Sequence, residues 1–308
     1  MIESFPSFFR STQANKGYWD AGAHFGGKKR SGRTIPTTAD ETFKQVWAKL
    51  NPVINNGEPA NIWQFLVITS IMINETGGTF VPVSEKGDLK YMYGINGGLK
   101  RSYNSYKANK SVYELLNTEL FIETHKHTPF DEYVIQSGKS NDEWKSETYP
   151  NEAPIKPSEG GIMAEADFYK FRGRGLIQTT FRDNYIPLIE AIINYRGENS
   201  IINEQKNKWA IRYNNDVQKI ATASTNSNWD DLFMKTEMEF AALGVKTFFD
   251  KRTGCIDLKN GDHLIKNKTA GSLYYVGLQV GGSDNYGQVL RARVLQIYEA
   301  MKEGGING

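Results

Sequence analysis

Residues 62–73 constrain this chain more than any other stretch. Ile62, Trp63, Phe65, Leu66, Ile68, Ile71, Met72 and Ile73 follow Pro59 and are apolar almost all the way round a helix. A helix without a polar face must be enclosed by other elements, so the pattern predicts a buried central helix. The run is too short to cross a bilayer. Its longest apolar stretch, residues 65–73, is interrupted by Thr69 and Ser70 and falls well short of the roughly 20 residues a span requires. Gly77-Gly78 ends the helix and leaves Glu75 at its C-terminal end.

The rest of the apolar pattern is helical too. Phe43, Val46, Trp47 and Leu50 recur at three and four residues until Asn51-Pro52 stops them. Residues 186–195 form a helix closed by Arg196-Gly197. Leu232, Phe233, Phe240, Leu243, Phe248 and Phe249 mark another, and Leu290, Val294, Ile297 and Met301 the last. The alternation at Phe80, Val81, Pro82 and Val83 predicts a small hairpin or ordered loop within 79–103. Val112, Leu115, Leu116 and Leu120 carry some helical signal, and residues 136–160, with Pro150, Pro154 and Pro157, read as a long polar loop. Before all this, Gly17, Gly22, Gly26, Gly27 and Gly32 surround the cluster Lys28, Lys29, Arg30 and Arg33, so residues 1–40 read as an irregular arm. The expected class is mainly α (α+β).

Charge and cysteine content exclude several functions. With 37 basic and 35 acidic residues the net charge is +2, which demands no nucleic-acid partner. The basic cluster in the arm reads as a solvated patch. The single cysteine, Cys255, excludes an internal disulfide and any cysteine-cluster metal site. His125 and His127 alternate but lack a third ligand, so they read as surface residues, and no metal or organic cofactor is implied. The first residues contain no basic segment followed by an apolar one, which predicts no secretory signal.

Three features carry potential chemistry. Burial and the partial negative charge of a helix C-terminus both raise the pKa of a carboxyl such as Glu75, as a general acid requires; a frayed, exposed helix end is the plainer alternative. FRGRGLIQTT, residues 171–180, is followed by Arg182-Asp183-Asn184-Tyr185. Two glycines flanking Arg174 imply a close backbone approach. Gln178, Thr180 and Asn184 offer amide and hydroxyl groups suited to sugar hydroxyls, N-acetyl groups or a water, or they simply cap a helix. Glu85 and Asp88 lie ten or so residues beyond Glu75. Inverting glycosidases need a second carboxyl about 6.5–9.5 Å from the first, and a surface loop acid is the alternative reading of either residue.

NETGGTF at 74–80 and FRGRGLIQTTFRDNY at 171–185, in this order, resemble glycoside hydrolase family 19, the chitinases and related phage endolysins of the lysozyme-like superfamily. MEFAALGVKTFFDKRTGCIDL at 238–258 is a weaker third match. The resemblance spans about residues 60–300. It implies a two-lobed, lysozyme-like helical domain over 41–303, with a small β-element beside the cleft and a long insertion at about 104–160. It makes Glu75 the general acid and Glu85, in the context of Leu89 and Tyr91, the second carboxylate, with Asp88 the other candidate. It makes Thr180 the hydroxyl that helps hold the nucleophilic water. Gln178, Asn184, Arg174 and Tyr91 become substrate-binding residues, and Tyr93, Tyr103 and Tyr106 offer further rings for sugar faces or for core packing. Two positions depart from the family. Asn74 stands where the family often has His. Gln279-Val280-Gly281-Gly282 stands where it reads Ile-Asn-Gly-Gly, so Val280 replaces a cleft asparagine that Gln279 or Asn285 must stand in for.

The resulting expectation is an inverting hydrolase of β-1,4 bonds in peptidoglycan. It would be made in a cytoplasm and reach the cell wall by holin-type release, on a virion or through a secretion machine, with the arm as a possible docking element. A chitinase is the second expectation. The third is a non-catalytic glycan-binding or structural component of a virion or injection machine, which the Val280 departure and the arm motivate.

Overall fold

A computed structural model describes residues 5–11, 35–85, 171–251, 268–269 and 271–303. The fold is mainly α. The helices are α1 (Phe5–Ser11), α2 (Ala39–Ile54), α3 (Ile62–Thr76), α4 (Arg182–Ile193), α5 (Ser200–Tyr213), α6 (Val217–Ala223), α7 (Asn226–Lys235), α8 (Glu239–Lys251), α9 (Leu273–Gly281) and α10 (Asp284–Glu303). The strands β1 (Val83–Ser84) and β2 (Arg174–Gly175) form one antiparallel pair. Among the described residues, no helix is long and apolar enough to cross a membrane. The chain divides into two compact units, residues 1–82 with 242–308, and residues 83–241, the second boundary falling within α8.

In the first unit α3 is the buried helix that its sequence predicts, with Phe65 to Ile73 all buried. Asn61 caps its start in a reciprocal capping box with Gln64, and Gly77 closes its end at φ 65°. Gln64 also exchanges two 2.7 Å hydrogen bonds with Asn55, which fixes the turn between α2 and α3. Phe5, Phe43, Trp47, Phe65 and Phe80 form an aromatic core. The Phe5 ring stacks 5.4 Å from Phe43, Phe80 stands edge-on to Phe43 at 4.8 Å, and Trp47 lies 4.9 Å from Phe65. The stretch expected as an irregular arm therefore contributes a helix. Phe5 and Phe9 of α1 are buried, and Arg10 pairs with Asp40 at the start of α2. The helix expected to stop at Asn51-Pro52 runs on to Ile54, because a proline in the last turn removes only one intrahelical donor.

α9 and α10 pack backbone against backbone. A Cβ on Gly277 would come 2.8 Å from the Cα of Gly287. α10 also packs on α3.

In the second unit Trp229 is fully buried and anchors the core. Tyr185 stands edge-on to it at 4.8 Å, and Trp209 and Phe171 lie 5.7 and 6.2 Å away. The small hairpin or ordered loop expected within 79–103 lies for the most part outside the described residues. Val83 and Ser84 pair with Gly175 and Arg174, about ninety residues on. The single helix expected from Leu232 to Phe249 is two. Glu237 and Met238, both at positive φ, separate α7 from α8. The Thr236 hydroxyl bridges the break, donating to Leu232 O and accepting from Phe240 N.

Candidate functional site

Glu75 lies in the first unit, in the last turn of α3, and is half-buried. The Tyr286 hydroxyl donates a hydrogen bond to its Oε1 and accepts one from Asn74 Nδ2 at 3.2 Å. Tyr286 is at the start of α10, and the end of α9 makes room for its ring. A Cβ on Gly281 would fall 2.2 Å from the Tyr286 ring, and Gly282 turns the chain at φ 65°. The glycine pair in the Gln279–Gly282 segment is thus explained by what it lets past. Val280 is half-buried and has no polar group to offer, and Asn285 is exposed. Tyr286 is the polar residue that this turn brings to Glu75, and nothing in the motif pattern pointed to it.

Glu85 lies in the second unit, immediately after β1, and is half-buried. Its backbone N–H donates to Gly173 O, and the Gly173 N–H donates back to its Oε2, both at 2.9 Å. Arg172 Nε donates to its carbonyl at 2.8 Å. The pairing of β1 with β2 therefore carries Glu85 onto the Gly-Arg-Gly turn. Gly173 leaves room for two side-chain ends: a Cβ there would stand 2.6 Å from Gln178 Oε1, 2.9 Å from Glu85 Cδ and 3.0 Å from Glu85 Oε1, so both would have to shift. Gly173 has Glu85 and Gln178 side by side over its Cα.

The rest of FRGRGLIQTT forms a tight loop. Arg174 and Thr179 exchange backbone hydrogen bonds of 3.1 and 2.8 Å across it. Gly175 sits at φ 86° against the Phe233 ring, which a Cβ would meet at 2.7 Å. Thr180 donates its hydroxyl proton to Gln178 O at 2.8 Å, so its lone pairs are what it presents to a ligand. Asn184 Nδ2 donates to Thr180 O at 2.7 Å.

Arg174 corrects an expectation. Its side chain is 0% exposed, and Nε donates to Asp230 Oδ1 at 2.6 Å while Nη1 donates to Tyr185 at 3.1 Å. A guanidinium enclosed in this way holds the loop together and cannot touch a substrate. Asp230 also pairs with Arg172 at 3.0 Å and accepts from Ser84 Oγ at 3.0 Å. Burial works to raise the Asp230 pKa, but Arg174 and Arg172 outweigh it and hold the carboxyl below its ordinary range. Tyr185, whose hydroxyl donates to Arg172 O at 2.7 Å, is pushed up by burial. Asp230, Arg172 and Tyr185 thus form the frame under Glu85.

Of the other sequence candidates, Asp88 and Tyr91 lie outside the described residues, as do Tyr93, Tyr103, Tyr106, His125, His127, Cys255 and the insertion at 104–160. Among the described residues no group of three or more His, Cys, Asp or Glu side chains could hold a metal ion. No protein-family model, curated protein or solved structure matches this chain.

Proposed function

We infer that this chain is a glycoside hydrolase that cleaves β-1,4 bonds of an N-acetylhexosamine polymer with inversion, and that its substrate is peptidoglycan. The observation that carries this reading is the placement of Glu85. A half-buried carboxylate accepts from a backbone N–H, over a glycine and beside an amide, and the same loop carries a hydroxyl that gives its own proton to the backbone. That set suits the activation of a water. Glu85 takes one of its protons and Thr180 accepts a hydrogen bond from the other, leaving the oxygen lone pair for the anomeric carbon.

Glu75 is the general acid. The Tyr286 hydroxyl donates to one of its oxygens. As a proton passes from Glu75 to the glycosidic oxygen, the Tyr286 hydrogen bond steadies the carboxylate left behind. Gln178 and Asn184 are the amides that this reading assigns to sugar substituents. The lysozyme-like character of the fold and a role as a phage or virion-borne lysin belong to the same reading.

The test is the release of new reducing ends from peptide-stripped peptidoglycan, with colloidal chitin in parallel. Wild type should release them from peptidoglycan, and Glu75→Gln and Glu85→Gln should each lose at least a hundredfold. The first-formed anomer should be inverted. Release from chitin alone would move the substrate assignment. No release from either polymer by folded protein would leave a glycan-binding or structural component as the reading.

A further inference from the structure

A pocket lies wholly within the second unit and shares no residue with the chemistry above. It has a volume of about 500 Å³ and is walled by α5, the end of α6 and the start of α7. Small-molecule sites run from about 300 to 1,000 Å³. Gln205, Lys208, Trp209 and Arg212 enter it from α5. Their spacing of three, four and seven residues places them on one helix face. Gln205 and Trp209 are buried, whereas Lys208 and Arg212 are exposed.

The inside of the pocket is prepared for a polar ligand. Gln205 is 9% exposed, and its amide makes no hydrogen bond among the described residues. The amide opens onto the pocket, where a ligand can take up its hydrogen bonds in place of water. Across from it, Thr225 and Asn228 form the capping box of α7. Asn228 Oδ1 accepts from Thr225 N at 3.0 Å, and Thr225 Oγ accepts from Asn228 N at 3.2 Å. The Thr225 hydroxyl proton and the Asn228 NH₂ remain as donors, and each oxygen keeps a second lone pair.

The mouth is cationic. Lys208 and Arg212 stand there, and none of the lining residues is acidic. Lys208 is paired with Glu204 at 2.6 Å, but both side chains are more than 60% exposed, and such a pair is readily exchanged for a better anion. Ile211, 88% exposed, and the half-buried Tyr213 add apolar surface on the rim, of the kind that packs on the CH face of a sugar ring.

We propose that this pocket binds an N-acetylated amino sugar carrying a carboxylate. The acetamido group is held by Gln205 and Asn228, and the carboxylate by Lys208 and Arg212. Naming this class rests on the peptidoglycan reading, because every second sugar of that polymer is N-acetylmuramic acid, whose lactyl group is a free carboxylate wherever no stem peptide is attached. The pocket then anchors the polymer at a point other than the bond that is cut.

The experiment uses the full chain carrying Glu75→Gln and monitors backbone amides by NMR during titration with N-acetylmuramic acid. Saturable shifts should appear in α5 and the α6–α7 turn. N-Acetylglucosamine, which lacks the carboxylate, should bind at least tenfold more weakly, and so should acetate and inorganic phosphate. Lys208→Gln with Arg212→Gln, at exposed positions that leave the fold intact, should weaken N-acetylmuramic acid at least tenfold. Absence of shifts in α5, equal binding of the two sugars, equal binding of phosphate, or indifference to the double substitution overturns the proposal. Reducing-end release by wild type is measured separately. Binding without hydrolysis keeps the pocket and removes the enzyme, whereas hydrolysis without binding does the reverse.

Discussion

Gly173→Ala separates the chemistry of the Glu85 site from its stability. The added methyl would lie 2.6 Å from Gln178 Oε1 and 2.9 Å from Glu85 Cδ. Ordinary van der Waals contact begins at 3.4 Å, so the amide must retreat by about 0.8 Å and the carboxyl by about 0.5 Å. Both are ends of flexible side chains, and Gly173 does not occupy a left-handed conformation, so the backbone has no reason to move. Overpacking of this kind costs about 1–3 kcal/mol, and the lower end applies where side-chain ends can yield. Catalysis is less forgiving, because a displacement approaching 1 Å costs on the order of 100-fold. The expected result is a melting midpoint a few degrees lower and kcat/KM for peptidoglycan down by about 10- to 100-fold. Gly175→Ala is the control. There the methyl meets the Phe233 ring at 2.7 Å in a backbone held at φ 86°, so the fold itself should suffer. The assay pairs thermal unfolding with reducing-end release. Full activity in a folded Gly173→Ala protein would refute the assignment of Glu85 and Gln178 to the reacting site.

Other substitutions test the supports. Tyr286→Phe removes a hydrogen bond to a carboxylate, worth about 1.5–3 kcal/mol, and should lower kcat/KM about tenfold or more with KM little changed. Asp230→Asn leaves the fully buried Arg174 without its anion and should cost about 3–5 kcal/mol in urea unfolding. Because the Asp230 pKa is lowered on folding, its stabilisation is fully present above the unfolded value of about 3.9 and is lost as pH falls through the lower folded value. The acid limb of a stability profile should therefore be shallower in Asp230→Asn than in wild type. Phe5→Ala should cost about 3–5 kcal/mol, since the ring lies in the aromatic core of the first unit; a neutral result in calorimetry would return residues 5–11 to the status of an arm.

The parts of this molecule that could be read from residue order are those where local chemistry leaves one solution. An all-apolar helix has to be buried, and Gly77 after it has to end it, so α3 and the position of Glu75 follow from the sequence. The Gly-Arg-Gly turn is equally direct, because its glycines do permit close contacts, to Glu85 and to Phe233. Elsewhere a distant residue decides. Phe5 and Phe9 have helical spacing, but the glycine-rich stretch after them masks it, and Phe43 and Phe65, far along the chain, give the Phe5 ring its place. Glu237 and Met238 are not turn-forming residue types, so the break between α7 and α8 has no compositional signal. Arg174 has the chemistry of a ligand contact, and only Asp230, 56 residues later, makes it structural.

Tyr286 shows the same limit at the other carboxylate. Matching the Gln279–Gly282 segment position by position puts Val280 where an amide is expected, and suggests that the turn has lost its polar contribution. The geometry argues otherwise. Gly281 gives up its side chain so that the Tyr286 ring can pass, and the hydroxyl of that ring reaches Glu75. Asn74, where a histidine stands in the resembling family, donates to the same hydroxyl. The two positions that depart from the pattern are therefore linked. A tyrosine six residues beyond Val280 supplies the hydrogen bond to Glu75, and the residue beside Glu75 is an amide that can donate to that tyrosine. If the linkage is functional, Asn74→His should weaken activity in the presence of Tyr286 and have a smaller effect in Tyr286→Phe, a coupling that a double-mutant cycle on kcat/KM measures directly. Independent effects of the two substitutions would show that the pair does not act together on Glu75.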